Sequence, residues 1–120
     1  MKIVLPIPPS VNKSKGGKNW KTGRFYSSPK LSAWQKKAAE ILKGYKAQTY
    51  TQNVHIVYRF HPKNKTFGDT QNYLKAVTDA LVSARVIEDD RHTIVVSEHA
   101  YFAGYDKENP RVEISIEGVA

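Results

Sequence analysis

An α+β domain is predicted: a two-layer sandwich in which a four-stranded mixed sheet carries two helices on one face, in the order β-α-β-α-β-β. Three observations predict it. Two stretches repeat apolar residues at helical spacing, four others alternate or run apolar at strand length, and the whole is 120 residues long. That length supports one hydrophobic core and not two. Stacking helices on a half-buried sheet covers the apolar face of both.

The first strand is Lys2 to Ile7, ended by Pro6-Ile7-Pro8-Pro9-Ser10. A flexible basic loop is expected at about 12–26, because Asn12 to Arg24 holds two adjacent glycines and almost no apolar periodicity. Ser28-Pro29 is a helix-start signal, a hydroxyl cap followed by proline at the first helical position. Leu31, Trp34, Ala38, Ile41, Leu42 and Tyr45 then form one apolar stripe, with Lys30, Lys36, Lys37 and Lys43 elsewhere on the helix. Tyr50 to Phe60 alternates, with Val54, Ile56, Tyr58 and Phe60 on one face, and a basic turn follows through Lys63 and Lys65. The second helix runs from Asp69 to Arg85. Tyr73, Leu74, Val77, Ala80, Leu81 and Ala84 fall on its apolar arc, opposite Gln71, Asn72, Lys75 and Asp79. Glu88-Asp89-Asp90-Arg91 is a turn, and strands at Thr93 to Phe102 and Arg111 to Glu117 complete the sheet. Residues 1–120 form a single domain.

Composition removes several classes of function. Without cysteine there is no disulfide framework, thiol nucleophile or thiolate-bound zinc. No apolar run reaches the ~20 residues that span a bilayer, and the start is broken by proline too early for a signal peptide. A cytoplasmic protein that does not meet a membrane is expected. Nineteen Lys+Arg against eleven Asp+Glu give a net charge of +8, and a small basic domain most often meets nucleic acid.

The charge is also divided. Residues 1–68 carry +13 with Glu40 as their one acid, whereas residues 69–120 carry −5. Lys13, Lys15, Lys18, Lys21 and Arg24 of the loop, with Lys63 and Lys65 of the turn, are the candidate DNA contacts. Trp20, Phe25 and Tyr26 are placed either to stack on bases or to pack on the next helix. Asp69, Asp79, Glu88, Asp89, Asp90 and Glu98 gather within thirty residues. Carboxylates repel phosphate, so a nucleic-acid binder has reason to gather them only around a cation. Two carboxylates from separate elements are a minimal oxygen ligand set for Mg²⁺, which can ionise water and stabilise a leaving oxygen. Lys75 offers a positive charge to the phosphorus centre. Each residue also has a plainer use: Asp69 as a helix cap, Lys75 and Asp79 as an i, i+4 ion pair, Asp89 and Asp90 as turn residues.

The stretch Asp69-Thr70-Gln71-Asn72-Tyr73-Leu74-Lys75, continued by Asp79-Ala80-Leu81 and then Glu88-Asp89-Asp90, resembles the signature of RusA-type Holliday-junction resolvases. The opening Pro6-Ile7-Pro8-Pro9-Ser10-Val11-Asn12 resembles the start of that family. The resemblance implies a homodimeric crossover junction endodeoxyribonuclease, dependent on Mg²⁺ with Mn²⁺ as a substitute, that binds four-way DNA junctions and nicks two opposing strands. It implies Asp69 and Asp90 as metal-binding catalytic aspartates, Lys75 as the catalytic lysine, and Asn72, Asp79 and Asp89 as supporting residues. Gln71 departs from the pattern, standing where the family carries an aspartate. An amide oxygen still coordinates Mg²⁺ but brings no charge and is no general base. Three outcomes follow: a working site with a neutral ligand, a site rescued by Glu88 or Asp79, or a junction-binding protein with lost cleavage. Asp79 is a poor rescuer, since eight helical residues put it ~12 Å along the axis from Gln71. A generic single-strand or RNA-binding module would use the basic half but leave the acidic cluster idle. His55, His61, His92 and His99 form no ligand spacing and receive no role.

Overall fold

A computed structural model describes residues 1–9, 15–18, 25–27, 29–45, 49–65, 67–68, 70–89, 91–92 and 94–118, with the backbone alone at 15–18, 25–27 and 72. In chain order the elements are β1 (Lys2–Leu5), β2 (Lys15–Lys18), β3 (Phe25–Ser27), α1 (Pro29–Lys43), β4 (Val54–His61), α2 (Gln71–Ser83), β5 (Val95–Phe102) and β6 (Arg111–Gly118). The main sheet has the order β1-β6-β4-β5. β4 and β5 are parallel, while β6 is antiparallel to both β4 and β1. The mixed four-stranded sheet and its two helices are as the periodicities predict. No helix among the described residues is long and apolar enough to cross a membrane.

Within the basic segment where a loop is predicted, β2 and β3 pair as an antiparallel ribbon with an irregularity between Lys15 and Gly17. Lys15-Gly16-Gly17-Lys18 has no apolar alternation to announce a strand, and the pairing rests on backbone hydrogen bonds that any residue but proline can make.

Alternation along the strands builds the core. Ile3 and Leu5 of β1, Val54, Ile56, Tyr58 and Phe60 of β4, and Val112, Ile114 and Ile116 of β6 are buried on one face. The other face holds His55, Arg59, Ser115 and Glu117, and Val4 is 43% exposed there. α1 lays Trp34, Ala38 and Leu42 into the core, and the Trp34 indole N–H donates to the Pro6 carbonyl at 2.9 Å, tying the helix to the end of β1.

α2 connects the parallel strands β4 and β5, which need a crossover of this kind. It buries Tyr73, Val77 and Leu81. Its first turn stands at the far end of β4: Tyr73 stacks on Phe67 at 4.0 Å, both rings lean on Phe60, and the Tyr73 hydroxyl accepts the Gly68 N–H at 3.2 Å. The helix is shorter than predicted, because Arg85 turns into the left-handed region (φ 59°) and the Val86 N–H caps the Leu81 carbonyl at 2.9 Å. Past it, the chain returns to the start of β4, where Tyr50 forms a parallel bridge with Ile87.

At the β5–β6 turn, Arg111 bonds Asp106 at 2.6 Å and Glu113 at 3.4 Å, and His61 meets Glu113 at 3.1 Å. The Arg111 hydrogen bond is the main reason the Asp106 carboxyl lies below its ordinary value of 3.8. At Glu113, partial burial pushes upward but is outweighed by the bonds from His61 and Arg111, so its carboxyl also lies below the ordinary 4.5. Both carboxylates thus favour the folded state above the normal carboxylate range, and that contribution is lost as pH falls through and below it.

Two outcomes are expected. Leu81→Ala should destabilise the fold by about 2–5 kcal/mol in urea unfolding, whereas Val4→Ala on the open face should change it by less than about 0.5 kcal/mol. Arg111→Gln should start from a lower Tm at neutral pH and lose less Tm than the parent between about pH 5 and about pH 3.

Candidate functional site

The first half of α2 and the edge strand β5 enclose a shallow depression of about 200 Å³ lined by Gln71, Leu74, Lys75, Thr78 and Glu98. Helical spacing explains the α2 members: Gln71, Lys75 and Thr78 follow one another by four and three residues and so stack along one side. Thr78 is turned inward and is buried. Lys75 projects into solvent and pairs with Asp79 at 3.7 Å, so the i, i+4 ion pair is formed. Pairs this exposed contribute about 0–1 kcal/mol, which leaves the ammonium available to a stronger anion.

Glu98, one of the six clustered acids but not one of the predicted site residues, enters from the sheet. Its signal lies in a register that only the paired strands reveal. Val54 is opposite Val95 but His55 is opposite Ser97, so Val96 is an extra residue in β5. Strict alternation from the buried Val95 would send Ser97 and His99 to the helix side. The inserted residue reverses the alternation, and Glu98 shares a face with Ile56 and Tyr58. Bulges commonly re-aim side chains in this way.

Below the depression, the Tyr58 hydroxyl lies 3.1 Å from Thr78 Oγ1 and 3.4 Å from Glu98 Oε1, and Thr78 Oγ1 lies 3.1 Å from the Leu74 carbonyl. Each hydroxyl has one proton. The Leu74 carbonyl can only accept, so Thr78 donates to it, and the single Tyr58 proton goes either to Thr78 Oγ1 at 3.1 Å or to the more distant Glu98 Oε1.

The acidic turn is held elsewhere. Tyr50 N–H donates to Val86 O at 2.9 Å and Glu88 N–H to Tyr50 O at 3.0 Å; Val54 N–H donates to Ile94 O at 2.7 Å. The turn is thereby fixed to the start of β4. Arg91 pairs with Glu88 at 3.5 Å and with Asp89 at 3.6 Å. α2 spans about 18 Å from Gln71 to Ser83. The described residues flanking Asp69 (Gly68, Thr70) and Asp90 (Asp89, Arg91) therefore lie toward opposite ends of that helix.

Asp69 and Asp90 themselves lie outside the described residues, as do Lys13, Lys21, Arg24 and Trp20; Asn72, Lys15, Lys18, Phe25 and Tyr26 are described by backbone only. Lys63 and Lys65 are exposed in the turn after β4, at the end where α2 begins. Asp79 lines a different depression, with Gln35, Ala39 and Lys43. Among the histidines, His55 bonds Ser97, His61 bonds Glu113 and His99 stacks on Tyr101. No three His, Asp or Glu side chains among the described residues converge as a metal cage. The α2–β5 depression presents the Lys75 ammonium, the Gln71 amide, the Thr78 hydroxyl and one carboxylate, Glu98, a mixed lining in which the positive charge of Lys75 faces an anion more readily than a cation.

No curated protein matches the chain. The family model described as Endodeoxyribonuclease RusA matches residues 6–117, from the proline-rich start to the last strand. This family comprises divalent-metal-dependent endonucleases acting on branched DNA junctions. With almost its whole length matched, the chain belongs to the RusA endodeoxyribonuclease family.

Proposed function

We propose that this protein resolves four-way DNA junctions as a homodimer, by paired Mg²⁺-dependent nicks, and that it acts in DNA recombination and repair in the cytoplasm. The observation that carries the reading is the family match over residues 6–117, and the exposed Lys75 on the first half of α2 agrees with it. The exposed Lys63 and Lys65 stand at the same end of the fold. Asp69 and Asp90 hold the metal, drawn from the two different protomers because their flanking residues lie toward opposite ends of α2, and Gln71 adds a neutral oxygen. Mn²⁺ substitutes for Mg²⁺ with these ligands. When bound, the metal supplies charge neutralisation and a more acidic water. Lys75 exchanges its weak pair with Asp79 for the charge that builds on the phosphorus oxygens. Asn72, Asp79 and Asp89 support the site, Asp89 through its pair with Arg91. Lys13, Lys15, Lys18, Lys21 and Arg24 join the two turn lysines on the phosphate backbone, which makes affinity fall with salt. A two-fold dimer matches a substrate that offers two equivalent strands.

Gln71 favours a second reading, a junction binder that has lost cleavage. A synthetic four-way junction separates the two. On the first reading the parent nicks opposing strands in Mg²⁺, and Asp90→Asn reduces cutting by about 10² or more while binding is kept. If the parent is silent and Gln71→Asp cuts, the second reading stands.

The separation between the ends of α2 generates a further expectation for the dimer. Mixing Lys75→Met chains with Asp90→Asn chains should restore cutting, because one of the two sites then combines an intact helix start with the partner's intact acidic turn. Sites complete within one chain would stay dead in that mixture. Junction nicking by refolded mixtures against each variant alone gives the answer.

A further inference from the structure

Resting on the homodimeric nuclease reading above, we infer that β5 is the dimer interface, pairing antiparallel along its outer edge with β5 of a second copy of this chain. The pairing is centred on Ala100 and joins the two halves of the metal site. β5 is the outer strand of the main sheet and, among the described residues, pairs with β4 alone. Residues of a strand direct their backbone groups alternately to one side and the other. The Ala103 N–H donates to the Phe60 carbonyl at 2.8 Å, so Ser97, His99 and Tyr101 face β4, while Ala100 and Phe102 direct theirs outward.

The opposite edge is protected and β5 is not. β1 has four residues, runs into Pro6, and its Val4 N–H is taken by the Tyr45 hydroxyl at 3.1 Å. β5 has eight residues without proline, and Tyr101, Phe102 and Tyr105 at its end are each more than half exposed. Phe102 meets Tyr105 edge-on at 4.9 Å, an aromatic patch of the kind that interfaces cover. The bulge at Val96 leaves 97–102 as the regular stretch, and Ala100 is its middle outward position. In that register Tyr101 lies across from the partner's His99, so the His99–Tyr101 stack of one chain becomes a group of four rings. A ladder this short covers less than the ~800 Å² that each partner gives a stable interface, so α2 must take part.

Symmetry ties this edge to function. Ala100 lies opposite Tyr58, whose hydroxyl meets Thr78 in the middle of α2. A two-fold axis through Ala100, perpendicular to the sheet, therefore lays α2 antiparallel beside the partner's α2, start against end. α2 touches both β4 and β5, and strands are ~4.8 Å apart, so the two helix axes come within about 10–15 Å. The helix start, flanked by Gly68 and Thr70, then faces the partner's acidic turn, which is fixed to the start of β4. Within one chain the same two ends stand about 18 Å apart along α2. Parallel pairing of β5, or pairing through β1, would leave them apart.

Sedimentation velocity and oxidative cross-linking of the full chain test this. The chain has no cysteine, so an introduced thiol reports one position. Ala100→Cys sets two thiols on Cα atoms about 5.5 Å apart across the axis, inside the reach of a disulfide, and should cross-link the dimer on mild oxidation. Val4→Cys on the opposite edge should not. Ala100→Pro removes an N–H that β4 does not use, at a position where an edge strand tolerates proline. It should keep the fold by circular dichroism and weaken dimerisation at least about 10-fold, since two symmetric hydrogen bonds are lost, and junction nicking should fall with it. If Ala100→Pro does not fold, the cysteine pair decides alone. An Ala100→Cys dimer that does not cross-link, a parent that is monomeric with and without junction DNA, or an Ala100→Pro chain that folds and dimerises like the parent overturns the inference. Cross-linking through Ala100→Cys, with a parent that never cuts a junction, refutes the nuclease reading and leaves the interface standing. A parent that cuts, with Val4→Cys cross-linking in place of Ala100→Cys, refutes the interface alone.

Discussion

The packing of α2 across the parallel pair β4–β5 is the constraint on which the rest depends. It requires a crossover between strands that run the same way, and the helix that makes it must bury one stripe on the sheet. Tyr73, Val77 and Leu81 provide the stripe, and the Tyr58–Thr78 hydrogen bond closes the one polar gap in the contact. The Tyr58 hydroxyl has no water to fall back on, so a partner is obligatory. Because that partner sits on α2 and its neighbour Glu98 on β5, a single buried phenol sets the distance between the two elements that line the depression. Core and candidate site are therefore one problem of packing.

Much of this was legible in the sequence. Alternation at Val54, Ile56, Tyr58 and Phe60 and the spacing of Trp34, Ala38 and Leu42 follow from burial on one side, and burial is what hydrophobic patterns encode. The polar side of α2 was equally readable, since Gln71, Lys75 and Asp79 emerge exposed where the helical arc puts them. The β2–β3 ribbon was not readable, because Lys15 to Lys18 is held by backbone pairing that leaves no trace in side-chain type. Glu98 was hidden for a different reason. Its orientation depends on an insertion relative to β4, a property of two strands together and not of either alone. The shorter α2 has a local cause, a left-handed Arg85 in the position that glycine usually marks.

The division of charge takes on a spatial sense in the fold. Lys63 and Lys65 stand exposed at the end of β4, beside the start of α2. Across the depression, Lys75 faces a strand-borne carboxylate, so one wall is cationic and the other anionic. A phosphodiester approaching from the lysine side would be attracted, and the Glu98 carboxylate would oppose its closer approach. A neutral Gln71 softens the repulsion at the helix start, where an aspartate would oppose an unmetallated phosphate.

The ionic group of His61, Asp106, Arg111 and Glu113 has a consequence beyond its response to acid. Each of its bonds is partly solvated and individually worth little. All of them form together only when His61 lies opposite Arg111 and Arg59 opposite Glu113. Sliding β6 by one residue along β4 would turn Ile114 toward water and Glu113 toward the core. The group thus behaves as a vernier on strand alignment, weak as a fastener but intolerant of a wrong setting.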